Sequence, residues 1–225
     1  MMTLYIANKN YSSWSLRAWV LMRELRMPFK EILTPFGSRS FRDFSPTGEV
    51  PCLVDGSRVV WDSLAIAEYL AERSPNVWPA DAEARAWARC AAAEMHSGFQ
   101  RMRDICTMNC GLRVRIEPHA PALARDLSRL DELWRQGLSR FGGPYLAGQA
   151  FSAADAFFAP VAFRVQTYAL PLSSAGQAYA ERLWGLPSMR EWYESALAET
   201  WREEEHEAEA RRAGVWVQDL RAKAA

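Results

Sequence analysis

Two short groups of residues in the first third of the chain could bind a peptide-like ligand. Val50 and Pro51 open a short apolar run, where the unpaired backbone of Val50 could pair with an extended peptide as an added strand would. Asp62 is a good helix N-cap, and Ser63 supplies a hydroxyl beside first-turn N–H groups that suit a carboxylate. An ordinary hairpin followed by a capped helix would use the same residues, so these groups alone leave both readings open.

A third group, Ser12 and Ser13, could act on a thiol. Both serines precede apolar residues that recur with helical spacing, which places them at the start of a predicted helix. A hydroxyl donor and a helix N-terminus both favour the thiolate over the thiol, whose ordinary pKa is about 8.5. Serines in this position serve most often as N-caps, so a purely structural role is the alternative.

Alternating strands and helices position these groups. The pattern predicts a strand over 3–7, a helix after the serines that ends before Pro28, a strand over 29–34, and a hairpin around Asp55 and Gly56 followed by a helix. Pro75 and Pro79 mark a linker at 75–82. We therefore expect one domain over 1–74 and another over 83–225.

Beyond the linker, the apolar pattern has a helical period and predicts no strand. Its expected elements are one long helix from Ala82 to about Cys110, a helix over Pro121–Phe141, and helices that open near Ser152 and Pro187. Ser152 and Asp155 have the spacing of a capping box. The charged run at 202–212 is expected to be a solvated face or a fraying end.

Composition excludes several classes of function. The chain of 225 residues carries 27 Lys and Arg against 27 Asp and Glu, so no net charge favours nucleic acid or an anionic membrane surface. No apolar run approaches the ~20 residues of a membrane span, and the first residues lack a signal-peptide layout. The 4 cysteines form no CxxC pair and have no histidine at zinc spacing. These features predict a reduced, cytoplasmic setting and no metal.

The order of the motifs resembles that of the glutathione S-transferase superfamily. Three signatures carry the resemblance and span nearly the whole chain: Ser12-Ser13-Trp14-Ser15, Val50-Pro51 with Asp62-Ser63, and Tyr145-Leu146-Ala147-Gly148 leading into the Ser152/Asp155 box. The resemblance implies an α/β thioredoxin-like N-terminal domain plus an all-α C-terminal helical domain. It also implies a homodimer and glutathione as co-substrate. The capping box would be a folding signature and not a site.

The resemblance further implies which residues hold glutathione. Val50 would bond the cysteinyl backbone with Pro51 as a cis-proline, while Ser63 and Asp62 would hold the γ-glutamyl end. Gln100 lies in a Ser-Gly-Phe-Gln segment similar to one of zeta enzymes and would be a further ligand. Arg39 could meet the glycine carboxylate, with a solvated loop charge as the alternative.

The serine-rich start is similar to the serine-type, zeta-like and theta-like branches, here in a bacterial form. Ser12 would hydrogen-bond the glutathione sulfur, with Ser13 as the second choice. Zeta enzymes that act on maleylacetoacetate resemble Ser-Ser-Cys-Ser at this point, whereas this chain has Trp14, which counts against that isomerisation. The pocket for the second substrate is expected to contain Trp14, His96, Phe99 and Arg103.

We therefore expect a glutathione transferase with a role in detoxification. It would stabilise the glutathione thiolate for attack on a small electrophilic, partly apolar compound. Two alternatives stay open: a glutathione-dependent isomerase, and a non-catalytic binding protein of the same fold. Serines in place of the cysteine of glutaredoxin-like relatives predict little thiol-disulfide reductase activity.

Overall fold

The N-terminal part of the molecule is a small mixed sheet with two helices. The computed structural model describes residues 1–116 and 121–223. The elements of this part are β1 (Met2–Ile6), α1 (Ser13–Glu24), β2 (Phe29–Leu33), β3 (Cys52–Asp55), β4 (Arg58–Trp61) and α2 (Ser63–Ala71), with a short 3-10 turn at Phe41–Asp43. The strand order is β2-β1-β3-β4, in which β1 runs parallel to β2 and antiparallel to β3. The predicted thioredoxin-like α/β arrangement is confirmed.

Local sequence signals explain where these elements begin and turn. Gly56 has φ 61° at the tip of the β3–β4 hairpin, a conformation that glycine adopts without steric cost. The α2 helix begins after Asp62, whose carboxylate accepts hydrogen bonds from the N–H groups of Leu64 (2.7 Å) and Ala65 (3.3 Å). The hairpin and the capped helix were both predicted, and they fix the position of Ser63.

The C-terminal part is mainly helical. Its helices are α3 (Ala82–Ser97), α4 (Gln100–Ile105), α5 (Pro121–Phe141), α6 (Ala153–Tyr168), α7 (Ser174–Trp184), α8 (Pro187–Ala198) and α9 (Glu204–Ala213). The prediction of one long helix from Ala82 to Cys110 is wrong. Phe99 has φ 55° between α3 and α4, and a Cβ on Gly98 would lie 2.7 Å from the Glu94 carbonyl oxygen. The apolar spacing continues across this break, so periodicity could not reveal it.

Two strands also lie in the C-terminal part, so the prediction that no strand follows the linker is wrong. β5 (Leu112–Ile116) pairs antiparallel with β6 (Gly214–Asp219), which comes about 100 residues later in the chain. Val215 and Val217 of β6 are 47% and 64% exposed, so apolar residues also occupy the outer face and the sequence lacks the apolar–polar alternation that would identify a strand.

Helix α9 contradicts the expectation of a solvated charge run at 202–212. Glu207 is 4% exposed, accepts a 2.7 Å hydrogen bond from the Tyr11 hydroxyl and forms an ion pair with Arg221. A carboxylate stays charged at such burial only when partners of this kind surround it. One face of the run is therefore structural and packs near the start of α1.

The two parts share one apolar core. The rings of Trp19 in α1 and Trp192 in α8 pack edge to face with centroids 5.2 Å apart, and both are fully buried. The Asp155 carboxylate receives hydrogen bonds from Ser152, Leu146 and Tyr179, which agrees with the structural role expected of the capping box. Among the described residues, no helix has the length and apolar character that crossing a membrane requires.

Candidate active site

A cavity of about 330 Å³ opens beside the β3–β4 hairpin and the start of α2. We call it the first cavity. It is lined by Trp14, Thr47, Glu49, Val50, Pro51, Trp61, Asp62 and Ser63. The structure thus brings together the four residues that the sequence marks as the site for a peptide-like ligand.

Val50 offers backbone hydrogen-bonding groups to this cavity. The Val50–Pro51 peptide is cis, and Val50 lies two residues before Cys52, the first paired residue of β3. In the described part of the chain, neither the N–H nor the C=O of Val50 takes part in a hydrogen bond. An extended ligand could therefore pair with this residue as an added strand.

Ser63 has an unsatisfied hydroxyl. The residue is 2% exposed, and its Oγ finds no hydrogen-bond partner among the described residues. Leaving such a group unpaired costs about 1–3 kcal/mol, which a ligand atom could recover. Because Asp62 caps the N–H groups of Leu64 and Ala65, the hydroxyl and N–H of Ser63 remain for a carboxylate.

Asp62 also contacts the helical part of the molecule. Its Oδ2 lies 3.5 Å from Nε2 of His96, whose ring packs edge-on against Trp14 with centroids 5.2 Å apart. Burial lowers the pKa of His96, while the Asp62 charge opposes that shift. His96 therefore contacts Asp62 without lining the first cavity. It is also absent from the lining of the second cavity, described next.

A second cavity, of about 370 Å³, shares a wall of Trp14, Glu49 and Val50 with the first. It lies between the two parts of the chain. Its lining includes Ser12 and Ser13 from the start of α1, Gln100 and Arg103 from α4, Arg164 from α6 and His206 from α9. The predicted sulfur-activating serines are therefore next to the wall that separates the two cavities.

The two serines differ in how their hydroxyls are held. Ser12 is 5% exposed, donates to Ser15 Oγ at 2.7 Å and accepts from the Ser15 N–H at 3.4 Å. Ser15 Oγ also accepts from the Ala7 N–H, and the Ser15 hydroxyl donates to no acceptor in the described chain. If the Ser12 hydroxyl turned to donate to a sulfur, the Ser15 hydroxyl could therefore donate to Ser12 Oγ. Ser13 is half-buried, and its hydroxyl forms no hydrogen bond within the described residues.

Comparison with known proteins shows which family the chain belongs to. Residues 11–73 match the family described as "Glutathione S-transferase, N-terminal domain". Residues 113–195 match the family described as "Glutathione S-transferase, C-terminal domain". The chain belongs to the glutathione S-transferase superfamily.

Individual members of the superfamily are similar to most of the chain. "Glutathione S-transferase 1" of Dianthus caryophyllus is 29% identical over 173 residues, which cover 71% of this chain and 75% of that protein. A probable maleylacetoacetate isomerase of Caenorhabditis elegans is 26% identical over 179 residues, 76% of this chain and 81% of that protein. A Burkholderia glutathione transferase homolog with bound glutathione is 25% identical, with a TM-score of 0.66 over 87% of this chain and 97% of that one.

Of the remaining residues predicted to bind glutathione or the second substrate, one lines a cavity and two do not. Gln100 lines the second cavity, and its Nε2 donates to Asp104 at 2.7 Å. Phe99 is buried in the core and lines neither cavity. Arg39 is exposed outside both cavities, where Nη2 lies 3.4 Å from Thr34 Oγ1 and the guanidinium stacks on Phe44.

Sequence reasoning missed several residues that line the two cavities. Thr47, Glu49 and Trp61 join the first cavity, and Arg164 and His206 join the second. Arg164 had a signal, because it is the one charged residue between Ala156 and Tyr168 in an otherwise mainly apolar helix. His206, whose Nδ1 lies 2.6 Å from Glu203, had none, because only the packing of α9 brings it to the cavity.

Cys106 and Cys110 lie in the core, apart from any metal-binding arrangement of the described residues. Residues 1–116 and 121–223 contain no set of three or more His, Cys, Asp or Glu side chains arranged to hold a metal ion. Cys106 and Cys110 are buried, and burial raises the pKa of the Cys106 thiol to about 12. Their predicted role as small apolar core residues is confirmed by this burial.

Proposed function

We propose that the protein is a glutathione transferase that uses the first cavity for glutathione and the second for an electrophile. One observation carries this proposal: the unpaired Ser63 hydroxyl and the unpaired Val50 backbone line the cavity that adjoins Ser12. These are the acceptors and donors that an extended tripeptide with a terminal carboxylate requires. Membership of the superfamily supports the same assignment.

In this proposal, glutathione binds in an extended form. Its γ-glutamyl carboxylate meets Ser63 and the N-terminus of α2, with Asp62 near the ammonium group, and its cysteinyl backbone pairs with Val50 beside Pro51. The sulfur then reaches the wall between the cavities. Gln100 and Arg39 are proposed as secondary ligands, although Arg39 would have to move from its contact with Phe44.

The chemistry needs the thiolate. Ser12 donates a hydrogen bond to the sulfur, which stabilises the thiolate but not the thiol, so the thiol proton is lost to solvent at a lower pH. The sulfur electron pair forms a bond to the electrophilic carbon, and the leaving group departs with the bonding pair. Holding both reactants on either side of Trp14 supplies the orientation that accelerates the step.

The setting of this activity is part of the proposal. A homodimer is proposed from resemblance to the family, and a cytoplasmic location from the cysteine pattern. Detoxification is the physiological role that fits a transferase of this kind. Trp14, Arg103 and, at a greater distance, His96 and Phe99 are proposed to shape the electrophile pocket.

A glutathione-dependent isomerase is the second candidate. The similarity to a probable maleylacetoacetate isomerase favours it. In that reaction the thiolate would add to the substrate and then leave again, so no stable conjugate would form. Trp14, in place of the cysteine of such enzymes, counts against it.

The test combines binding and turnover. Calorimetry should detect glutathione binding with a dissociation constant in the micromolar to millimolar range, and a panel of electrophiles should give conjugates that mass spectrometry can identify. A binding protein without catalysis would show the first result and not the second. Absence of heat and of thermal protection at several millimolar glutathione would contradict the whole proposal.

A further inference from the structure

Arg103 and Arg164 contribute cationic groups to the second cavity, and neither forms an ion pair with another described residue. Nη1 of Arg103 donates to the carbonyls of Met95 and His96, both at 3.1 Å. Arg164 donates from Nε to the Cys106 carbonyl at 2.8 Å and from Nη1 to the Pro160 carbonyl at 3.3 Å. These acceptors are all neutral, and each guanidinium keeps at least one further N–H group without a protein partner in the described chain.

Burial makes this arrangement costly for an empty protein. Arg164 is 4% exposed, and burial lowers its pKa to about 10, with the nearby Arg103 charge adding to the shift. Behind Trp14, Arg17 is 2% exposed, and its Nε and Nη1 have no hydrogen-bond partner among the described residues. Buried cations are normally paired, so an anion in the cavity would relieve a local excess of positive charge.

Among the described residues, the carboxylates that line the second cavity form no ion pair with these arginines, and the Asp104 charge only partly opposes the lowering of the Arg103 pKa by burial. Asp104 accepts from Gln100 at 2.7 Å and lies 3.7 Å from Arg101. Glu49 is exposed and Glu209 is half-buried, so water solvates both, and neither forms an ion pair within the described residues. The side chains of the cavity therefore leave the two guanidinium groups available to a ligand.

The location of the arginines indicates which ligand would meet them. The groups proposed to hold the γ-glutamyl carboxylate and the cysteinyl backbone of glutathione line the first cavity. Arg103 and Arg164 come from α4 and α6 and line the second cavity, where the Arg103 guanidinium lies 4.6 Å from the centroid of the Trp14 ring. An anion bound there would belong to the molecule that the thiolate attacks.

Resting on the proposed function, we propose that the electrophile carries a carboxylate that the guanidinium groups of Arg103 and Arg164 bind. Charge-assisted hydrogen bonds of this kind are roughly twice as strong as neutral ones. They would hold one end of the substrate at α4 and α6 and present its electrophilic carbon to the sulfur beside Ser12. The protein would then prefer an acid to an uncharged ester of equal intrinsic reactivity.

A matched pair of substrates tests this preference. In 4-(chloromethyl)benzoate and its methyl ester, the thiolate forms a C–S bond while the C–Cl bond breaks and chloride leaves with the electron pair. With each rate divided by the uncatalysed rate, kcat/KM should be at least about 10-fold higher for the acid, a difference of ~1.4 kcal/mol. Equal values for the two compounds would overturn the proposal without any variant being needed.

Variants assign the preference to the arginines. Arg103→Gln should remove most of the advantage of the acid, so that the acid-to-ester ratio of kcat/KM falls towards one whatever the change in the rate of the ester itself. The control, Arg125→Gln, changes an exposed arginine on α5 and should keep the advantage. An unchanged acid-to-ester ratio in Arg103→Gln, in a protein with wild-type thermal stability, would contradict the assignment.

Two further measurements separate the alternatives. The alternative is that Arg103 binds the glycine carboxylate of glutathione. In that case the glycine monoethyl ester of glutathione should bind more weakly than glutathione, and Arg103→Gln should abolish the difference. This pair of results would overturn the proposal. A thermal-shift assay with glutathione and 4-methylbenzoate needs no turnover. The anion, but not its methyl ester, should raise the melting temperature, and Arg103→Gln should remove this effect. That result would support the anion site even if no electrophile were conjugated and the proposed function failed.

Discussion

Tyr11 donates a 2.7 Å hydrogen bond to Glu207, which joins the residue before Ser12 to the last helix of the chain. Both residues are less than 5% exposed. Burial raises the pKa of Tyr11 above its usual range, and the hydrogen bond to Glu207 adds to that rise. Arg221, beyond β6, forms an ion pair with the same carboxylate. The end of the chain therefore helps to fix the turn that carries the proposed active-site serines.

Breaking this cluster should destabilise the protein strongly. The side chains of Arg221 and Glu207 are 1% and 5% exposed, so Arg221→Gln would leave a buried carboxylate without its cation. Loss of one partner of a buried pair costs about 3–5 kcal/mol. Urea denaturation should show this loss in the free energy of unfolding. The control is Arg211→Gln, which removes an exposed pair with Glu204 on α9 and should cost less than about 1 kcal/mol. Similar small losses in the free energy of unfolding for both variants would contradict a structural role for the Arg221–Glu207 ion pair.

Ser12→Ala should raise the pKa of the bound glutathione thiol. Removal of the hydroxyl takes away the donor to the thiolate, and each unit of pKa corresponds to ~1.4 kcal/mol. Ser15→Ala should have a smaller effect of the same sign, because Ser12 Oγ exchanges hydrogen bonds with Ser15 and with no other described residue. Ser13→Ala should have the smallest effect. Thiolate absorbance as a function of pH measures all three variants.

A larger effect for Ser13→Ala than for Ser12→Ala would assign sulfur activation to the second serine. Its hydroxyl is partly exposed and hydrogen-bonds no described side chain, so it could donate without any rearrangement. That result would leave Ser12 as the N-cap of α1, the role in which it already accepts from the Ser15 N–H.

Ser63→Ala should lower the affinity for glutathione without lowering the stability of the free protein. A hydrogen bond from a hydroxyl to a charged carboxylate is worth roughly 1.5–3 kcal/mol, which predicts a loss of about 10-fold or more in affinity. In the free protein the hydroxyl is buried and has no hydrogen-bond partner among residues 1–116 and 121–223, so its removal should leave the melting temperature unchanged or raise it. Ser57→Ala, in the exposed hairpin turn, is the control and should change neither quantity. Wild-type affinity in Ser63→Ala would remove Ser63 from the site.

His96 should make stability depend on pH. Burial lowers its pKa in the folded protein below the ordinary value of 6.5, and the Asp62 charge only partly opposes this. The unfolded chain therefore takes up the proton first, so the stabilisation by His96 is complete above pH ~6.5 and is lost as the pH falls through the lower folded-state pKa. His96→Asn should reduce the difference in urea stability between pH 7.5 and 5.5. An equal difference in both proteins would show that His96 does not contribute to it.

The part of the site that local sequence could predict is the part built by consecutive residues. Asp62 caps α2 and leaves Ser63 at its first position, and both facts follow from short-range spacing. The second cavity depends instead on packing between distant segments. Glu207 lies within the charged run at 202–212, and nothing in the local sequence indicates that it meets Tyr11 and Arg221.

The break between α3 and α4 illustrates the same limit. The apolar spacing from Met95 to Cys106 fits one helix, but Gly98 and Phe99 end it and reorient Arg103 toward the cavity. A single glycine within a helical pattern is tolerated often enough that it does not predict a break. Family resemblance predicted the overall fold, whereas the presence of both Arg103 and Arg164 at the second cavity follows only from the three-dimensional structure.

The pKa of the glutathione thiol in the complex tests the central claim most directly. Titration of thiolate absorbance, at a glutathione concentration that saturates the protein, should give a pKa at least about one unit below the ~8.5 of a free thiol. The same titration with Ser63→Ala, at a concentration that restores saturation, should give the wild-type pKa, because that residue is proposed to bind and not to activate. A bound thiol that titrates at about 8.5 in the wild-type protein would contradict the account.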